Sequence, residues 1–367
     1  MSSTSDVRMQ ADESVSLRAS IGTLVVLGLR DIRMAASPTT AYLMVGGQCS
    51  SDCAYCGQGR GAIGDHSRLS RISWPEVGEE ELVDALVAHP EAFQRVCFQT
   101  TASRGVLEQL LALVPRIRQA SEVPISVSYR VTTFEEADQL FAAGVQRIGV
   151  AIDCCSEHLY PQLRGGSLAD SIALVKGLVR QYPGRISTHL IIGLGEDEME
   201  AAELMLELHR AGALVSLFAF TPVRGTRMEH GAPPALMSYR KLQLLLGLLD
   251  WQEEEHFCVA YDARKSIHGL GLNGVQVRSF LHRHFVFVTH GCPGCNRPFY
   301  NETPGGTMFN YPNVQLETVD CEIDRFIDDL KADGFDFAAA QHCAGEGTST
   351  EVLRHYLGRE EIRDSRN

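Results

Sequence analysis

Cys49, Cys53 and Cys56 place three thiols in one short loop, Gly46-Gly47-Gln48-Cys49-Ser50-Ser51-Asp52-Cys53-Ala54-Tyr55-Cys56. A Cys-x3-Cys-x2-Cys run is a set of soft ligands, suited to an iron–sulfur cluster or to zinc. Three is the informative number, because a closed structural zinc site takes four ligands. No further Cys or His occurs in the nine residues after Cys56, and His66 is the nearest candidate. A four-iron cluster held by three cysteines keeps one iron open for a small molecule. The loop therefore favours such a cluster over a zinc knot.

The scaffold around this loop is legible from periodicity. Thr40 to Val45 is an apolar run that delivers the cysteines. Strand-like segments follow at 95–100, 124–128, 147–152, 186–192 and 213–220. Between them lie helical patterns at 78–88, 106–120, 134–143, 168–181 and 197–211, with a leucine-rich helix from Tyr239 to about Trp251. Strands alternating with helices of this length predict an α/β fold with a parallel sheet and right-handed crossovers. Residues 1–38 read as a polar tail and lead-in helix, 39–252 as the α/β unit, and 253–367 as an irregular, cysteine-containing C-terminal extension covering the barrel mouth. In a barrel of this kind the chemistry sits at the carboxyl ends of the strands.

Composition narrows the setting. Eleven cysteines, an odd number, follow a polar N-terminus with no signal-peptide pattern. Metal-bound thiolates in a reducing cytoplasm are expected rather than a disulfide framework. No apolar run is long enough to span a membrane. The net charge of −13 argues against nucleic acid as the main partner.

Cys292-Pro293-Gly294-Cys295 is the second chemical signal. A Cys-x2-Cys turn fits zinc, an iron–sulfur cluster or a redox pair. No second such turn lies in the C-terminal part, so further ligands must come from Cys97, Cys258, Cys321 or Cys343. Cys97, read as lying at the end of the second strand near the barrel mouth, is the preferred one. Cys154, Cys155 and Cys321 read as structural.

Five segments together carry a family resemblance: the Cys49–Cys56 loop with Tyr55 before its last cysteine, Cys-Phe-Gln-Thr at 97–100, Ser-Thr-His-Leu-Ile-Ile-Gly-Leu-Gly-Glu at 187–196, Leu-Phe-Ala-Phe-Thr-Pro-Val-Arg-Gly-Thr at 217–226, and Gly-Cys-Pro-Gly-Cys-Asn-Arg-Pro-Phe-Tyr-Asn-Glu at 291–302. The chain resembles the radical S-adenosylmethionine (SAM) superfamily over about residues 40–312. Within it, the chain is similar to the biotin-synthase-like proteins that form two-component lipoyl synthases.

The resemblance implies a partial (β/α)6 barrel. It implies a [4Fe-4S] cluster on Cys49, Cys53 and Cys56, with SAM chelated at the open iron. Tyr55, Gln99, Asp153, Gly193 and Glu196 would face that co-substrate, Asp153 at the ribose and Gly193–Glu196 at the adenine. Gln99 stands where many members carry a Gly-Gly-Glu-type segment, which is absent here. Arg130 could pair with the methionyl carboxylate or be a surface charge. Biotin synthases use a cysteine equivalent to Cys97 for an auxiliary cluster. Their other barrel cysteines have no counterparts in Ile125-Ser126-Val127-Ser128 or Ile186-Ser187-Thr188, so Cys292 and Cys295 would supply the remaining ligands.

The implied reaction is sulfur insertion into C–H bonds of a protein-bound octanoyl chain, a sulfurtransferase activity in lipoate biosynthesis. Its partners would be an octanoylated carrier, a low-potential electron donor and a second radical SAM subunit. Phe98, Phe218, Phe220 and Tyr300 are expected channel walls. The competing readings are a single-cluster radical enzyme and a non-catalytic iron–sulfur or zinc scaffold.

Overall fold

Apolar stripes of helical period and strands of period two meet as the alternation requires. The computed structural model describes residues 16–251, 257–302 and 305–337. β1 (Leu17–Ala19) and α1 (Ile21–Val26) precede β2 (Thr40–Val45). A hairpin of β3 (Arg68–Leu69) and β4 (Ile72–Ser73) follows the cysteine loop. The repeat then runs α2 (Glu79–Ala88), β5 (Arg95–Thr100), α3 (Val106–Ala120), β6 (Ile125–Ser128), α4 (Phe134–Ala142) and β7 (Arg147–Gly149). It continues through a short α5 (Tyr160–Leu163), α6 (Leu168–Gln181), β8 (Ile186–Ile192), α7 (Glu198–Arg210), β9 (Leu214–Ala219) and α8 (Leu236–Trp251).

The main sheet has seven strands in the order β1-β2-β5-β6-β7-β8-β9. From β2 to β9 every neighbour pairs in parallel, so the partial α/β barrel is as expected. The helices start where their sequences say they should. Thr133 with Glu136, and Asp197 with Glu200, form reciprocal capping boxes at α4 and α7. α3 buries Val106, Leu110, Leu113, Val114 and Ile117, a single stripe. β1 was not foreseen. It is too short to show a period, and it adds antiparallel to β2, with Leu17 opposite Val45.

The inward faces of the strands are unusual for a barrel core. Side chains facing the interior alternate with core residues: Tyr42 and Met44, Cys97 and Gln99, Ser126 and Ser128, Ser187 and His189, Ser216 and Phe218. Serines where a barrel normally packs branched apolar residues leave space. The result is a cavity of about 610 Å³ along the barrel axis. Phe98 points the other way, into the core against the helices, so its expected place in a channel wall is corrected. Phe218, Phe220 and Tyr300 do line the cavity.

The C-terminal extension is more regular than its sequence suggested. It holds a hairpin of β10 (Ala260–Tyr261) and β11 (Ile267–Gly269), α9 (Gly274–Arg283) and α10 (Leu316–Ala332). Its first task is to cover α8, whose residues from Tyr239 to Leu249 are buried all round. Even Arg240 and Lys241 are enclosed there. Arg240 donates to the Met308 and Phe309 carbonyls, and Lys241 pairs with Glu198 and Asp333. The extension is therefore not a lid over the carboxyl ends of the strands. Among the described residues no helix is long and apolar enough to cross a membrane.

Candidate active site

The first cysteine loop leaves β2 through Gly46, whose φ is +128°. A Cβ there would stand 2.1 Å from Thr101 Oγ1, so only glycine allows the turn. The three thiols all line the cavity. Each sits in its own environment. Cys49 Sγ accepts the Ala102 N–H at 3.4 Å. Cys53 Sγ accepts from Arg164 Nη1 at 3.4 Å. Burial pushes the Cys56 thiol up to about 12, and it raises Cys53 while Arg164 pulls it back. Metal binding must therefore displace these protons.

Behind the loop stands a buried polar hub. Asp153 accepts the Tyr55 hydroxyl at 2.6 Å, pairs with Arg164 Nε at 2.9 Å, and meets His189 Nε2 at 2.8 Å. Its φ of +66° is rare outside glycine. The conformation is fixed by backbone bonds on both sides, Asp153 N–H to His189 O and Ile191 N–H to Asp153 O. Burial alone would raise the Asp153 pKa, but His189 and Arg164 hold it well below the usual carboxylate range. Tyr55 and Asp153 are thus brought together, and Asp153 is bound to protein rather than left open for a ribose. Arg164 and His189 are site residues that the sequence reading missed.

Asp153→Ala is accordingly expected to leave a buried guanidinium uncompensated, at a cost of about 3–5 kcal/mol. A carboxyl with a depressed folded-state pKa stabilises fully above its unfolded value of about 3.9 and loses that contribution as pH falls further. The melting-temperature gap between wild type and variant should therefore be wide at neutral pH and narrow below pH ~4. Equal melting temperatures at neutral pH would show that the hub is not structural.

The second cysteine group lies at the opposite end of the strands. Gly294 O accepts from Thr39 Oγ1 at 2.6 Å and Thr40 Oγ1 at 3.1 Å, and Pro293 O accepts from Arg95 Nε at 3.1 Å. Thr40 and Arg95 begin β2 and β5. From there the segment climbs the side of the sheet left open between its β1–β2 edge and β9. Arg297 N–H donates to Tyr42 OH at 2.8 Å, its guanidinium covers the Phe218 ring, and Asn301 donates to Thr221 Oγ1. The expectation that this segment covers the carboxyl-end mouth is corrected: its Cys-x2-Cys turn plugs the amino end.

Cys97 is the third residue of β5, pointing inward at that lower level rather than at the mouth. Cys97, Cys292 and Cys295 share one neighbourhood. Burial first, then Cys292 and Cys295, raise the Cys97 thiol. Tyr42 OH lies 3.4 Å from Cys295 Sγ, Ser126 Oγ lies 3.6 Å from Cys292 Sγ, and Gln99 Nε2 donates to Cys97 Sγ at 3.3 Å. Gln99 therefore serves the second group of thiols, not the first. Cys258 is disulfide-bonded, which removes it as a ligand. Cys321 is exposed on α10, not structural, and Cys343 lies outside the described residues.

Gly193 and Glu196 do not line the cavity. Glu196 turns back on its own loop, accepting from the Gly193 N–H at 2.6 Å and the Leu194 N–H at 3.0 Å. Gly193 is required by Pro234, which a Cβ would approach to 2.9 Å. Their expected contact with a co-substrate is replaced by a turn-shaping role. Arg130 faces the cavity and bonds to Ser51.

A profile of the Radical SAM superfamily matches residues 43–208, which include the cysteine loop, Asp153, Arg164 and His189. Over that segment the chain is similar to the radical SAM superfamily. Among curated relatives, biotin synthase of Pelotomaculum thermopropionicum is 24% identical over 185 residues, covering 49% of this chain and 56% of that protein. Biotin synthase of Geobacter metallireducens is 25% identical over 240 residues, covering 60% and 70% respectively. The chain thus spans little more than half the length of the first of these, 56%. Of solved structures, methylornithine synthase (PylB) aligns with a TM-score of 0.46 at 16% identity, covering 81% of this chain and 82% of that one. HydG, a maturase of the [FeFe]-hydrogenase, aligns with a TM-score of 0.46 at 16% identity, covering 57% and 49%.

Similarity to the radical SAM superfamily implies a [4Fe-4S] cluster and SAM. The donor set fits the cluster: three soft thiols on one loop, with an amide and a guanidinium aimed at their sulfurs. Among the described residues no three His, Cys, Asp or Glu side chains converge on a single-ion site. A cluster spreads its ligands over several irons and does not need such convergence.

Proposed function

We propose that this radical SAM chain is a sulfur-inserting enzyme acting on C–H bonds of a protein-bound octanoyl chain, one component of a two-component lipoyl synthase. One observation carries the reading: two separate groups of three thiols face a single cavity from opposite ends of the same strands. A cluster with SAM at the upper group supplies, when bound, a radical able to take hydrogen from an alkyl carbon. The lower group, Cys97, Cys292 and Cys295, would hold a second iron–sulfur cluster as the sulfur source.

The chain's own residues have clear parts in this scheme. Cys49, Cys53 and Cys56 bind. Tyr55, Asp153 and Arg164 fix the loop that carries them. Tyr42, Met44, Phe218 and Phe220 wall the space between the groups. The name biotin synthase, carried by the curated relatives, supports sulfur insertion as the reaction class. Thiolate ligands support a reducing compartment such as the cytoplasm, although Cys258 is disulfide-bonded.

A single-cluster radical enzyme is the second reading. It is favoured by Ser126, which stands beside Cys97 in the sheet register where a further thiol would complete the lower group. Iron and sulfide counts after anaerobic reconstitution decide between them: about eight of each per chain for two [4Fe-4S] clusters, about four for one.

The carrier and an electron donor must both reach the carboxyl-end loops. Those loops expose Arg60, Arg71, Arg104, Arg130 and Arg224 in a chain whose net charge is −13. The double variant Arg60→Glu, Arg224→Glu is expected to slow association with an acidic octanoylated carrier domain about 10-fold at low salt. The difference should shrink near 1 M salt, where the Debye length falls to about 3 Å. Identical association rates at low salt would take the arginine rim out of docking.

A further inference from the structure

Arg164 touches both halves of the upper site, although it lies in neither motif. It ends α5, immediately before Gly165 and Gly166, whose φ values of +81° and +79° turn the chain sharply. The helix end is clamped to the cysteine loop, with the Ala54 N–H donating to Leu163 O at 2.7 Å. From that fixed point the guanidinium makes three contacts: Nη1 to Cys53 Sγ at 3.4 Å, Nε to Asp153 Oδ2 at 2.9 Å, and Nη2 to Ala151 O at 3.2 Å. The side chain is only 12% exposed, so solvent screens these charges little.

We propose that the Arg164–Asp153 pair sets the reduction potential of the cluster held by Cys49, Cys53 and Cys56, with Arg164 acting through its contact to Cys53. The inference rests on the cluster assignment but not on any substrate. Reduction adds one negative charge to the cluster and its thiolates. A guanidinium in contact with a ligand sulfur stabilises the reduced state more than the oxidised one. Hydrogen bonds and net charge around the sulfurs are the protein's means of tuning such a potential. Asp153, on the far side of Arg164, opposes this while holding the cation in place. Arg164 is therefore a positioning and tuning residue, and the two charges should act with opposite sign.

The test is a redox titration of the reconstituted full-length protein without SAM or substrate, followed by electron paramagnetic resonance of the reduced cluster. Dithionite supplies the single electron and is itself oxidised to sulfite. Arg164→Met is expected to lower the midpoint potential and Asp153→Asn to raise it. Arg164→Lys, which keeps the charge without the planar fork, should fall between wild type and Arg164→Met. Iron content near wild type in Arg164→Lys guards against a folding defect. Unchanged potentials, or shifts of the same sign in Arg164→Met and Asp153→Asn, would overturn the proposal, since general loosening of the loop has no reason to reverse sign. Unchanged potentials with a large drop in SAM affinity would make Arg164 a co-substrate ligand instead. Failure of wild type to assemble any cluster would remove this proposal together with the radical reading. Failure to thiolate a carrier would leave it intact.

Discussion

Replacing any one of Cys49, Cys53 or Cys56 by alanine is expected to abolish formation of 5′-deoxyadenosine from SAM. The three positions are not redundant. The Ala102 amide orients Cys49, Arg164 holds Cys53, and Cys56 is a buried thiol with its pKa pushed up to about 12. With two thiolates left, the cluster either dissociates or loses the open iron that SAM must occupy. Iron content and product formation with dithionite, measured side by side, separate those outcomes. A single variant that kept near wild-type cleavage would sink the radical assignment. Serine at the same positions should retain more iron than alanine, since an alkoxide can still ligate, while restoring little activity.

Most of the scaffold was legible because its units are long and periodic. Val106–Ala120 and Leu168–Gln181 have the boundaries their apolar stripes and caps indicate. The extension was harder to read. α9 and α10 are polar on their exposed faces, and they cover α8, which is buried on every side and so shows no stripe of its own. The level of Cys97 was misjudged for a different reason. Which end of a strand a residue occupies follows from register, and register is a property of the pairing, not of one segment. Tyr42, Cys97 and Ser126 form one layer only once β2, β5 and β6 are aligned.

A usable signal went unread in Ser187-Thr188-His189. Polar residues two apart on a central strand face inward together, and in a barrel they announce a cavity rather than a packed core. His189 could have been found that way. Arg164 could not, because its partners Cys53 and Asp153 are distant in sequence and meet only through the turn after α5. Glu196 shows the opposite error. A glycine-rich turn ending in an acid reads as a ligand cradle, yet here the carboxylate satisfies its own loop's amides.

The double variant Cys292→Ala, Cys295→Ala is expected to uncouple the two ends of the cavity. The turn is anchored by backbone carbonyls, Pro293 O to Arg95 and Gly294 O to Thr39 and Thr40, and by the Asn296 side chain to the Thr39 N–H. None of these bonds uses a cysteine sulfur, so the segment should stay in its seam. Cys292 and Cys295 can thus be lost without dismantling the floor of the barrel. The upper cysteines stand at the other end of the strands and should keep their cluster. The variant should still cleave SAM without productive turnover, while its iron falls by about one cluster's worth, some four atoms if that cluster is [4Fe-4S]. No sulfur should reach an octanoylated carrier domain, a loss read by mass spectrometry of the carrier. Cys97→Ala is expected to behave in the same direction, because Cys97 shares the neighbourhood and nothing else on β5 can replace its thiol. Continued thiolation by the double variant, or zinc in place of iron at this end of the native protein, would leave sulfur insertion without a donor. The chain would then stand as a radical SAM enzyme whose lower thiols seal the barrel.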